Sequence, residues 1–309
     1  MSLPIETEDL GKRYGDVTAV EHLCLRVAEG EIYAFLGLNG AGKTTTIRML
    51  LGMIKPSTGH ATVLGTRVQI GRREPWESVG YLVETPRSYP ELTVRENLEV
   101  ARRLHPNTPR KDIGSIIERL GLAEYADRRT CDLSQGNAQR LGLAKALLHS
   151  PRLLFLDDPA NGLDPAGIVE IREFLLELTR DHGLTVFMSS HILAEVSRLA
   201  RRIGIIHQGR LLQELGVDEL ERNRRRRLLV RVRDVDAARR TLLAAGRCAE
   251  ILQDETMEFK DISSVENPDD INSLLVNAGT PPTQLMVEEE KLEEYFLRLV
   301  GIEGGPKNE

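Results

Sequence analysis

The stretch with the most specific chemistry is Gly37-Leu38-Asn39-Gly40-Ala41-Gly42-Lys43-Thr44-Thr45, which matches G-x-x-x-x-G-K-[ST]. Its glycines let the backbone turn with positive φ and bring N–H groups up to phosphate oxygens. The helix that follows adds partial positive charge at its N-terminus. Lys43 supplies a point charge for β- and γ-phosphates, and the Thr44 hydroxyl is a hard oxygen ligand for Mg²⁺. Asn39, Gly40, Ala41, Gly42 and Thr45 complete the candidate cradle. The loop by itself specifies a nucleoside triphosphate and leaves GTPase, kinase and ATPase open.

Two further stretches carry candidate chemistry. Leu153-Leu154-Phe155-Leu156-Asp157-Asp158 is an apolar run ending in two carboxylates. One carboxylate at a strand tip can hold Mg²⁺, directly or through water, and the next can orient or polarise an attacking water. Leu133-Ser134-Gln135-Gly136-Asn137 begins a helix whose apolar face is Leu141, Ala144 and Leu148. Ser134 is placed to cap it. A small hydroxyl at a helix N-terminus also makes an anion clamp, although in isolation this stretch reads as a capped helix.

The elements that must hold these residues read as α/β. Glu31–Leu36, Arg152–Leu156 and Leu184–Ser189 are short apolar runs, as expected of strands buried on both faces in a mostly parallel sheet. Asp164-Pro165 starts a helix with Ile168, Ile171, Leu175 and Leu178 on one face, and Gly183 stops it. Residues 1–215 read as one α/β domain with a helical part at about 85–150. Asn223-Arg224-Arg225-Arg226-Arg227 marks a domain boundary over 216–227 and reads as a solvated linker, with a docking surface for a partner chain or anionic lipid as the alternative. Residues 228–309 then read as a small α+β domain: strand 228–233, helix 236–245, strands near 257–259 and 284–287, and helices from Pro268 and Glu289.

Composition narrows the class. With 41 Lys plus Arg against 47 Asp plus Glu, the net charge is −6, which argues against a dedicated nucleic-acid coat. No run reaches about 18 apolar residues, the length of a bilayer span, and the N-terminus lacks a signal-peptide pattern. Cys24, Cys131 and Cys248 suit neither a disulfide framework nor a zinc site and read as separate reduced thiols.

Taken in order, the phosphate loop at 37–45, Leu133–Asn137, the Asp157-Asp158 strand, Asn161-Gly162-Leu163-Asp164-Pro165 and Ser189-Ser190-His191 resemble the ATP-binding-cassette ATPase family over residues 5 to about 215. The resemblance implies a P-loop NTPase fold with a helical subdomain. It implies that Tyr14 stacks on adenine, Asp157 is the Mg²⁺-linked carboxylate, Asp158 stands in the place of the hydrolytic base, and His191 is the switch histidine at the γ-phosphate. It implies further that ATP lies between the phosphate loop of one copy and the Ser134, Gly136 and Asn137 clamp of a second, with Asp164 acting across the head-to-tail interface. Integral membrane subunits on a separate chain are the implied partners. The chain is then peripheral on the cytoplasmic face of the membrane, with residues about 85–105 as the docking segment and no nucleic acid expected.

Three positions depart from the family pattern. Asp158 stands where glutamate is usual, Gln135 stands in a signature that usually reads Ser-Gly-Gly-Gln, and Glu84 stands where glutamine is common. Glu84 is still an oxygen ligand for Mg²⁺. Glu84 followed by Tyr89–Leu98, the stretch Asn161–Arg172 and the C-terminal domain look like the branch serving bacitracin-type and lantibiotic exporters. A nucleotide sensor with little turnover, or a cassette acting on nucleic acid or the ribosome, are the alternatives. ATP hydrolysis separates the first from a transport ATPase, and salt-dependent binding to DNA or RNA would reveal the second.

Overall fold

The computed structural model describes residues 3–72 and 74–301. The chain divides into two compact units, one up to Val217 and one from Asp218. The termini of the two ranges expected from sequence, 1–2 and 302–309, lie outside the described residues.

In the first unit a six-stranded sheet runs in the order Arg210–Gly216, Arg202–His207, Ile32–Leu36, Thr185–Ser190, Leu153–Asp157, Val79–Leu82. Its pairings are parallel except for the edge hairpin of Arg202–His207 with Arg210–Gly216. Ile32–Leu36, Leu153–Asp157 and Thr185–Ser190 are buried along their whole length, which is why they read as unbroken apolar runs rather than alternating ones. Neighbouring strands pack ring on ring: Tyr33 stacks on Phe187 at 5.5 Å, with Phe35 and Phe155 tilted against the same ring. A second, antiparallel sheet orders Val17–Leu23, Ile5–Tyr14, Thr58–Val63 and Thr66–Arg67, with Arg26–Val27 also paired to Ile5–Tyr14.

Helices Val94–Leu104, Asp112–Arg119 and Gln135–Leu147 form the helical part. Val94–Leu104 opens with a capping box of Thr93 and Glu96. Buried Asn97 then ties down the loop before it. Its side-chain amide donates to the carbonyls of Tyr89, Leu92 and Thr93 and its oxygen accepts from the Tyr89 N–H. Helix Pro165–His182 has the ends its sequence predicts. Asp164 accepts from the Gly167 N–H at 3.0 Å, proline follows at the first helical position, and Gly183 closes it at φ 66°.

The second unit is a four-stranded antiparallel sheet ordered Glu250–Ile251, Met257–Phe259, Arg226–Arg231, Gln284–Glu289. Leu228, Val230, Met257 and Phe259 build its core with Ala238, Leu242, Ile271 and Leu275 from the helices. The expected solvated linker at 216–227 is corrected here. Val217–Asn223 is a helix and Arg226 already lies in a strand. The arginines are engaged by carboxylates: Arg224 by nearby Glu221 and, from strands far along the chain, by Glu289, Arg226 by Glu289, and Arg227 by Glu258 and Glu288. Among the described residues no helix is long and apolar enough to cross a membrane, and the three cysteines are free and exposed.

Candidate functional site

The phosphate loop leaves the C-terminal end of strand Ile32–Leu36 and runs into helix Lys43–Leu50. Gly40 and Gly42 have φ of 80° and 108°. A Cβ on Gly42 would stand 2.6 Å from the Ala19 carbonyl oxygen, and one on Gly37 would stand 2.5 Å from that of Ile206. Both positions therefore need glycine, because backbone fills the space a side chain would take. Asn39 and Gly40 form the exposed tip, Ala41 is buried beneath them, and Thr44 and Thr45 sit half-buried at the helix start.

Lys43 is 6% exposed, and its ammonium donates to the carbonyls of Gly37 at 2.7 Å and Leu38 at 3.2 Å. Burial pushes its pKa below the usual value, while Asp158 and Asp157 pull it back up. The Thr44 hydroxyl donates to Asp157 Oδ2 at 2.8 Å, and Ser189 donates to the other oxygen of the same carboxylate. Asp157 is itself 6% exposed. A hydroxyl and a buried carboxylate, brought together across more than a hundred residues of chain, are the hard-oxygen donors that suit Mg²⁺.

Asp158 turns away from Asp157 through a left-handed backbone at φ 47°. Its N–H donates to the Ser189 hydroxyl at 3.0 Å, and its carboxylate lies 3.0 Å from His191 Nδ1. Lys43, Thr44, Asp157, Asp158 and His191 thus gather at the C-terminal ends of three adjacent parallel strands, where open α/β sheets bind ligands.

The remaining candidates lie outside that cluster. Tyr14 is 47% exposed at the end of its strand, with the Lys12 ammonium 5.0 Å from its ring centroid. Ser134 caps helix Gln135–Leu147 by accepting from the Asn137 N–H at 3.3 Å. Gly136 faces the loop after Asp158, since a Cβ on it would be 3.4 Å from the Gly162 carbonyl oxygen. Asp164 is engaged as a helix cap.

Glu84 and Gln135 have partners within the chain. Glu84 is not joined to the Thr44–Asp157 pair. One of its oxygens forms an ion pair with Arg48 on the phosphate-loop helix. Gln135 folds its side chain over Gly162, where a Cβ would meet it at 2.5 Å.

Residues 20–161 match the family model described as ABC transporter. Over 97% of its length, and 98% of the relative's, the chain is 39% identical to the bacitracin transport ATP-binding protein BcrA of Bacillus licheniformis. The chain belongs to the ATP-binding-cassette transporter ATPases. The BcrA of Enterococcus faecalis is 38% identical over 97% of both chains. The lantibiotic transport ATP-binding protein SrtF of Streptococcus pyogenes is 35% identical over 70% of this chain and 93% of its own. Among solved structures, an ATP-binding subunit of an ABC transporter superposes with a TM-score of 0.65 at 30% identity, covering 72% of this chain and 92% of that one. The dimeric post-hydrolysis cassette MJ0796, bound to ADP and Pi, has a TM-score of 0.64 at 22% identity, covering 69% and 98%, and shares the fold.

Within this cassette three contacts escaped sequence reasoning. Ser189 bonds both aspartates. Buried Gln139 donates to the Pro159 carbonyl at 3.1 Å, joining the signature helix to the loop after Asp158. Arg48 takes Glu84. A polar residue among the apolar positions of helix Gln135–Leu147 was the available signal for Gln139.

Proposed function

We propose that this chain is the ATP-hydrolysing subunit of an exporter whose membrane subunits are separate chains, with a peptide antibiotic or related drug as cargo. The observation that carries this reading is the convergence of Lys43, the Thr44–Asp157 pair and the Asp158–His191 pair at one end of the parallel sheet. The near full-length similarity to bacitracin transport ATP-binding proteins supports the cargo class.

In this reading the loop amides and Lys43 bind the phosphates, and Tyr14 stacks on the base. Thr44 and Asp157 hold Mg²⁺, which when bound neutralises charge on the β- and γ-phosphates. Asp158 takes the proton of the attacking water, and His191 orients Asp158 and senses the γ-phosphate. Ser134, Gly136, Asn137 and Asp164 of a second copy complete the pocket head to tail. This is consistent with the exposure of Ser134 and Gln135 at the front of their helix. The γ-phosphate then holds the closed pair, and its loss releases it, which is the differential contact that a two-state machine requires.

The docking segment for membrane subunits is the helical part. A cavity of about 550 Å³ lined by Trp76, Leu104, His105, Thr108 and His149 lies beside it, and Leu104 is 74% exposed. Docking there places the chain on the inner face of the membrane.

The test is phosphate release by the full chain with ATP and Mg²⁺, alone and with its membrane subunits. Lys43→Ala is expected to lower turnover by two orders of magnitude or more. Asp158→Asn with ATP is expected to sediment as a dimer. Equal phosphate release by Lys43→Ala and the unaltered chain overturns the reading.

A further inference from the structure

Behind the catalytic cluster lies an open cavity of about 300 Å³, bordered by helix Pro165–His182, the loop Pro159–Pro165 and the segment Ala194–Leu199. Its walls are mostly apolar, with Leu163, Ile168, Leu175, Met188 and Leu199 among them. That volume is at the lower end of the range for small-molecule sites, which combine apolar walls with a few polar groups.

The acidic group here is Glu195, one of three charged residues in the lining with Arg172 and Arg198. It is half-buried and, among the described residues, makes no hydrogen bond or ion pair. Burial raises its carboxyl pKa, the Asp158 charge adds to the rise, and His191 opposes it. Of the two arginines, Arg172 is engaged with Glu173 at 3.1 Å, and Arg198 reaches solvent. A carboxylate partly withdrawn from water beside apolar walls favours a ligand that brings a hydrogen-bond donor.

We propose that this cavity binds a small amphipathic cation, an apolar body with an amine head that pairs with Glu195, and that its occupancy regulates ATP turnover. At about 30 Å³ per liquid-packed heavy atom the space holds roughly ten non-hydrogen atoms. The regulatory half follows from what the walls are made of. The loop Pro159–Pro165 continues directly from Asp158, and Ala194–Leu199 follows three residues after His191. A ligand wedged between them fixes the two segments that carry the 3.0 Å Asp158–His191 contact. The binding half stands on the cavity and Glu195, and the regulatory half rests on the roles proposed above for Asp158 and His191.

The probe is 4-phenylbutylamine, titrated into the full chain with the methionine methyl groups followed by NMR. Met188 is one of six methionines and lines the cavity. Saturable binding at one site is expected, with the Met188 methyl shifting most. Affinity is expected to be at least ten-fold weaker for 4-phenylbutyric acid on the unaltered chain and for 4-phenylbutylamine on Glu195→Gln. Saturating amine is expected to change ATP turnover at least two-fold in the unaltered chain and to leave Glu195→Gln unchanged. Equal affinity for amine and acid, amine affinity in Glu195→Gln equal to that of the unaltered chain, or no saturation up to the solubility limit overturns the site. Binding without any effect on turnover overturns the regulation. Absence of ATP hydrolysis in the chain without probe counts against the transport-ATPase reading and leaves the binding result standing on its own.

Discussion

Replacing Asp158 by glutamate sets two effects of this structure against each other, and their separate readouts test the role given to that residue. The aspartate carboxylate is 3.0 Å from His191 Nδ1. One more methylene moves the carboxylate out by about 1.5 Å, the length of a C–C bond. A general base works only within hydrogen-bond reach of its proton or through one water, and contributes about 10²–10⁴-fold. A misplacement of about 1 Å costs up to about 10²-fold. If short reach limits the reaction, Asp158→Glu raises steady-state turnover about ten-fold. Against this stands the backbone, because residue 158 is left-handed at φ 47°. Aspartate tolerates that region better than longer side chains, so glutamate there destabilises the fold by about 1 kcal/mol. For a unit of this size that is a fall of about 2–4 °C in Tm. Phosphate release and thermal unfolding are measured on the same preparation, with Asp158→Asn as the variant that removes the base. Unchanged turnover together with the expected fall in Tm refutes the argument from reach.

Three further outcomes are expected. Burial depresses the His149 pKa to about 4, with neighbouring His105 lowering it further and the Val79 hydrogen bond opposing. The unfolded chain therefore takes up the proton first, and stability falls as pH drops from about 6.5 toward 4; His149→Phe, which keeps a ring stacked on His105, flattens that slope in pH-dependent chemical denaturation. Glu258 is 4% exposed; burial raises its carboxyl, but Arg227 and Lys260 lower it more, so the net shift is downward. The C-terminal unit then loses stability as pH falls below about 4.5, and Arg227→Ala is expected to cost about 1–3 kcal/mol at pH 7 by urea denaturation, because it strips partners from a buried carboxylate. Asn97→Ala removes a buried amide holding three carbonyls of the 89–93 loop, and a loss of about 2 kcal/mol, with faster amide exchange at residues 89–93, is expected.

What sequence reading recovered and missed follows from where each partner lies along the chain. The phosphate loop is contiguous, so its glycines, lysine and threonine could be read together with the buried strand before them. The caps Ser134 and Asp164 act within three residues of themselves and were equally legible. The pairing of Thr44 with Asp157 depends on strand order, and it became readable only through the order of motifs along the chain. The Arg48–Glu84 pair has no local signature, so Glu84 read as a free oxygen ligand. The arginine run at 224–227 read as a solvated linker because its partners, Glu258, Glu288 and Glu289, come from strands 30 or more residues later. The strand Glu250–Ile251 and the helix Ile262–Glu266 are too short for periodicity to reveal.

The hydrogen bond from Gln139 to the Pro159 carbonyl has a consequence for how two assembled copies keep time. The front of the signature helix faces a neighbour's nucleotide in the proposed pair. The flank of that helix is fastened to the loop leaving its own Asp158, and Gln135 lies against the same loop at Gly162. In that pair a displacement of the helix by the neighbour's γ-phosphate is expected to reach the home carboxylate through these two contacts. The two ATP molecules of that pair are expected to be consumed in concert, with velocity rising along a sigmoid in ATP concentration that Gln139→Leu makes hyperbolic.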